Sequence, residues 1–119
     1  MEETRYSNKE DSQYLSKESV LREWGEEFRE LSESPRVKFT KDRLEVSLKF
    51  PVEGHEGSIT SVSMIVPNAG LLKQLDDVKG DVAKALVLIR VCSGLPQAVI
   101  DRIKSPDFTF LQKAAAAFL

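Results

Sequence analysis

Seventeen residues from Gly80 to Pro96, G-D-V-A-K-A-L-V-L-I-R-V-C-S-G-L-P, constrain the fold of this chain more than any other stretch. Between Asp81 and Ser93 only Lys84 and Arg90 are charged. On a helical wheel Val82, Leu86 and Ile89 form one stripe, and Ala85, Leu88 and Cys92 form a second beside it. Val87 and Val91 then fall on the side that ought to be wet. A helix apolar nearly all round belongs in a core, with neighbours on several sides. Its ends are marked too. Asp81 suits the positive N-terminus, Gly94 can take the left-handed stop, and Pro96 cannot continue the turn. The rest of the chain has to wall this helix in.

Strands are the first candidates for walls. Leu44, Val46, Leu48 and Phe50 alternate with Glu45, Ser47 and Lys49, which predicts a half-buried strand. Pro51 to Ser58 holds two glycines and reads as a loop. Ile59 to Val66 resumes the alternation, with Val62, Met64 and Val66 on one face. Together these predict an antiparallel hairpin over about 44–66. A short strand at Val37 and Phe39 precedes it, turning at Lys41-Asp42. A lone hairpin is marginal in water, so its apolar face must cover the helix at 81–93.

Helices follow. Asn68 can cap a turn carrying Leu71, Leu72, Leu75 and Val78. Pro96 opens a short stripe of Val99, Ile100 and Ile103. Ser105-Pro106-Asp107 offers a hydroxyl cap, a proline at the first position and a carboxylate in the first turn. Phe108, Leu111, Ala115 and Phe118 then recur at helical spacing up to Leu119. The fold class is α+β: a β-hairpin on a small bundle of C-terminal helices, with an amphipathic helix ahead of it.

That leading helix occupies an acidic arm, 1–34, set apart from a domain over 35–119 by Ser32-Glu33-Ser34-Pro35. Residues 1–35 hold five basic against ten acidic side chains, and residues 36–119 hold twelve against nine. Residues 1–13 are polar, aperiodic and read as disordered. From Tyr14 to Leu31, Val20, Leu21, Trp24, Phe28 and Leu31 keep a helical period among glutamates. Gly25 in the middle costs such a helix about 1 kcal/mol relative to alanine. Two readings of Trp24, Phe28 and Leu31 stay open: packing on the home domain, or self-association with another subunit.

Catalytic and metal-binding patterns are missing. His55 is the single histidine and Cys92 the single cysteine, too few for a four-ligand zinc site. Asp76 and Asp77 point about 100° apart on a helix and cannot share a proton. Gly54 and Gly57 are followed by no GK[ST]. The reading is a protein without catalytic activity or cofactor. No apolar run approaches the roughly 20 residues that span a bilayer, and Met1-Glu2-Glu3-Thr4-Arg5 lacks the pattern of a secretory signal. A lone cysteine in an apolar helix fits a reducing cytoplasm. The basic residues of 36–119 are scattered, which argues against nucleic acid as partner.

The order of signals resembles a known family. An alternating strand ending in Pro51, a glycine loop and a second strand ending in Pro67 precede Gly70-Leu71. Then come L-D-D-V-K-G-D-V (75–82), L-x-L-I (86–89), S-G-L-P (93–96), V-I-D (99–101) and D-F-x-x-L (107–111). This set resembles the phage tail assembly chaperones of Mu-like and related contractile-tailed phages over roughly 80 residues. Leu71 stands where the family would have an acidic residue, and the arm 1–35 lies outside the shared part. The resemblance implies a non-enzymatic chaperone in the bacterial host cytoplasm, absent from the finished virion. It would bind the tape measure protein, a long helical chain with apolar seams, and keep it soluble until tail tube protein polymerises around it. The C-terminal stripe Phe108, Leu111, Ala115, Phe118 and Leu119 is the expected client surface. A small nucleic-acid-binding helical domain and a homo-oligomeric adaptor or scaffold are the alternatives.

Overall fold

Alternating side chains from Val37 to Ile65 build a three-stranded antiparallel sheet in the order β1-β2-β3. The strands are β1 (Val37–Phe39), β2 (Arg43–Gly54) and β3 (Gly57–Ile65). The structure is a computed structural model, and it describes residues 14–119. The reading of residues 1–13 as disordered lies outside the described residues. Thr40 closes the β1–β2 turn: its N–H donates to the Arg43 carbonyl at 2.8 Å, and its hydroxyl accepts from the Arg43 N–H at 3.2 Å. Val37 pairs with Val46, Phe39 with Leu44, Leu44 with Met64 and Val46 with Val62. One sheet face is therefore apolar, and all six of these side chains are buried.

The expected loop over Pro51–Ser58 is mostly strand. Gly54 pairs with Gly57, so the turn shrinks to His55-Glu56, and Val52 pairs with Ile59. The reason is an irregularity upstream. After Ser47 pairs with Ser61, Leu48, Lys49, Phe50 and Pro51 stand opposite Thr60 alone. The ladder breaks there, which lets proline sit within a paired strand. It also turns Phe50 outward. Phe50 was expected on the buried face and is 47% exposed. Val66 was expected with Val62 and Met64, but the strand stops at Ile65 and Val66 is 48% exposed.

Helices cover the apolar face. Two short ones follow the expected signals. In α3 (Ala69–Lys73) the Asn68 side chain accepts from the Leu71 N–H at 2.9 Å, and α5 (Gln97–Asp101) buries Val99 and Ile100. The stretch at 81–93 is α4 (Asp81–Ser93), ended by Gly94 at φ 74°. It lies beneath β3 and against α6 (Ser105–Ala117), and α6 in turn lies beneath β2. The all-round burial expected of α4 is only partial. Ala85, Leu88, Ile89 and Cys92 are buried, Leu86, Val87 and Val91 half-buried, and Val82 is 53% exposed. With the sheet on one side and α6 on the next, the remaining flank has no neighbour to bury it. Ser105 is not the cap expected of it. Lys104 holds that position without a side-chain bond, and Ser105 is the first helical residue.

The leading segment is not one helix. It comprises α1 (Lys17–Glu23), a 3-10 turn (Glu26–Phe28) and α2 (Arg29–Ser32). Gly25 breaks it by adopting φ 110°, a conformation side chains strain to reach. Val20, Phe28 and Leu31 join the buried core of the sheet. The Leu15 N–H donates to the Phe39 carbonyl at 2.7 Å, occupying part of the outer edge of β1.

Candidate functional site

The two chain ends, read separately in sequence, meet in the fold. Trp24 lies edge-on to Phe28 and to Phe39, each 5.0 Å away between ring centroids. Phe118, from the end of α6, lies 5.5 Å from Phe28 and 6.0 Å from Trp24. Such edge-to-face rings add about 0.5–1.5 kcal/mol per pair beyond their burial. The Trp24 indole donates to the Thr40 carbonyl at 3.0 Å, and Lys113 of α6 reaches Glu30 of α2 at 2.9 Å. The expected client surface and the expected self-association surface thus form one junction within a single chain.

Burial then sorts the residues. Of the self-association candidates, Phe28 and Leu31 are buried in this chain's own core and Trp24 is half-buried. Of the client candidates, Leu111 and Ala115 are buried, Phe108 and Phe118 half-buried, and Leu119 is 66% exposed. Two open grooves flank the end of α6. One, of about 370 Å³, is walled by Trp24, Phe28, Val66, Pro67 and Phe118, with Glu23 and Lys41 at its rim. The other, of about 290 Å³, runs between α4 and α6 over Ala85, Ala115, Ala116 and Leu119. Alanines along a groove floor let a visiting helix come close. Val66 and Pro67 were missed as wall residues, because the last residue of an alternating run reads as strand.

What holds α6 in place was also missed. Asp107 is fully buried, and its carboxylate accepts from the backbone N–H of Lys49 at 3.0 Å and of Phe50 at 2.9 Å. Those two amides belong to the segment of β2 where the ladder to β3 breaks. Arg36 completes the arrangement. Its guanidinium donates to Asp107 and to the Ser47 carbonyl at 2.9 and 3.1 Å, and stacks 4.5 Å from the centroid of the Phe110 ring. Burial alone would raise the Asp107 pKa, but the bonds from Lys49, Phe50 and Arg36 outweigh it and hold the carboxyl below its usual range. The carboxylate expected to serve its own helix end instead pins α6 to the sheet.

His55 is exposed at the hairpin tip between Glu53 and Glu56, and Cys92 is buried, which pushes its thiol pKa up. Among the described residues no group of three His, Cys, Asp or Glu side chains converges as a metal site. Among them, too, no helix is long and apolar enough to cross a membrane. Residues 45–119 match the family described as phage tail assembly chaperone proteins, E, or 41 or 14. No curated protein and no solved structure matches the chain.

Proposed function

The chain belongs to the phage tail assembly chaperone family, and from that premise we propose that it binds the tape measure protein without turnover. It holds that client soluble in the host cytoplasm until tail tube protein displaces it, and it stays out of the finished virion. The observation that carries the reading is the pair of shallow apolar grooves on either side of the α6 end. Their walls are residues in or next to helices and the segment just past β3, on a domain where Asp107 pins α6 to the sheet, and helix-in-groove recognition needs little else. Leu119 is the exposed anchor between them, with Phe118 behind it. An open groove suits weak, reversible capture, which a client that must be handed on requires.

Co-expression with the tape measure protein should raise that protein's soluble yield with no nucleotide added. Leu119→Asp and Val66→Asp alter exposed side chains, so they should leave the fold intact. Each should weaken capture roughly ten- to a hundredfold, the loss of about 1.5–3 kcal/mol that a buried aliphatic side chain contributes. Pull-down titration against tape measure fragments measures this. Unchanged capture by both variants, or no gain in solubility with any fragment, sinks the reading.

A further inference from the structure

The two grooves differ in what builds them. Every residue lining the groove between α4 and α6, from Asp81 to Leu119, falls within 45–119, the part of the chain that matches the family. The groove beside Trp24 is built jointly. Val66, Pro67, Ala117 and Phe118 belong to the matched part, whereas Glu23, Trp24, Phe28 and Lys41 precede it. The charges differ as well. Asp81 and Lys84 are neighbours on one helix, and Asp81 sits at the positive end of α4, where a carboxylate is favoured. Glu23 has no such reason. It is the last residue of α1, at the negative end of its own helix, where a carboxylate is disfavoured. Lys41 comes from a separate element, the β1–β2 turn. Both side chains are exposed, and among the described residues neither makes an ion pair, with the other or with any third group. The fold leaves these two charges unused.

We infer that the groove beside Trp24 selects which segment of the client is held, and in which direction, through Glu23 and Lys41. The inference rests on the client-binding reading above. The segment it fits is a helix with a large apolar side chain between a basic group, set against Glu23, and an acidic group, set against Lys41. Apolar walls supply affinity, while charge complementarity supplies partner choice and register. Trp24, Phe28 and Phe118 offer the same apolar contact to a helix lying either way. Two charges of opposite sign on separate elements do not. A helix laid in one direction pairs both of them. The same helix reversed, or a segment of the opposite charge order, sets like charges together and loses both pairs. The alanine floor of the second groove reads shape without charge order. General capture then belongs to the matched part of the chain, and choice of segment belongs to the residues ahead of it.

The test reads preference as well as affinity. Overlapping fragments of the cognate tape measure protein identify the helix held most tightly. A synthetic peptide of that helix, and a copy with its acidic and basic residues exchanged, are the probes. The full chain should hold the first about tenfold more tightly than the second, and added salt should shrink the difference. A chain carrying both Glu23→Lys and Lys41→Glu should prefer the exchanged copy. Its thermal melt should match the parent, because both side chains are exposed. Ala116→Arg, on the floor of the other groove, should leave the preference as it is. Equal affinity of the parent for the two peptides overturns the inference. So does a double variant that keeps the parent's preference, or an Ala116→Arg chain that loses it. A parent that holds no fragment at all is a different result: it removes the client reading itself, and this inference with it.

Discussion

Asp107→Ala should lower the unfolding free energy by about 3–5 kcal/mol, the cost of breaking a buried, hydrogen-bonded ion pair by removing one partner. The change strands the N–H groups of Lys49 and Phe50 where the ladder cannot take them back, and leaves Arg36 beside a void. Asp107→Asn preserves volume but turns an amide donor toward an array of donors, so it should recover little. Arg36→Ala should cost less, because the Arg36 side chain is partly exposed and the two backbone bonds to Asp107 survive. The same pair sets an acid limit. The folded state lowers the Asp107 pKa, so its contribution is complete above the free carboxylate value of about 4 and disappears as pH falls through the lower folded value. Denaturant midpoints from pH 7 down to pH 2 should converge for parent and Asp107→Asn at the acid end. Equal stability of Asp107→Ala and parent at pH 7 would show that the latch holds nothing.

The second large effect belongs to Ile89. Ile89→Asp should abolish soluble folded protein, because it places an unpaired charge at a fully buried position of α4. Leu88→Ala is the graded counterpart, expected to cost about 2–5 kcal/mol. Val82→Asp, on the exposed flank of the same helix, should stay within about 0.5 kcal/mol of the parent. Leu86→Asp should fall between them, since Leu86 is half-buried. Soluble yield of Ile89→Asp and thermal melts of the other three variants rank the faces of α4. A Val82→Asp variant destabilised more than Leu88→Ala would reverse the packing described above.

Sequence alone carried the elements whose signals are local. The bounds of α4, the Asn68 cap, the stripe of Val99 and Ile100, and the paired faces of Leu44, Val46, Val62 and Met64 each follow from spacing within one segment. Failures came where a distant partner decided the outcome. The break at Gly25 was hidden because Trp24, Phe28 and Leu31 keep helical spacing across it. The irregularity in β2 was hidden because Phe50 continues an alternation that the ladder no longer enforces. Asp107 looked like an ordinary first-turn carboxylate, and nothing near it in sequence points to Lys49 or Arg36. In α4, apolar residues all round were read as burial all round, whereas one flank was left open. The candidate site was half legible. Both aromatic ends were recognised as special, but their meeting needed the fold.

The junction of those ends has an optical consequence. Trp24 is the sole tryptophan of the chain, and it walls the groove beside the α6 end while its indole N–H is held by Thr40. The ring is packed among Phe28, Phe39 and Phe118 and is half-buried. Whatever fills that groove must dry the exposed part without disturbing the bonded nitrogen. Tryptophan emission from this protein therefore comes from a single chromophore seated at the place where occupancy would be felt. A blue shift on adding a tryptophan-free partner would register docking there with no label attached.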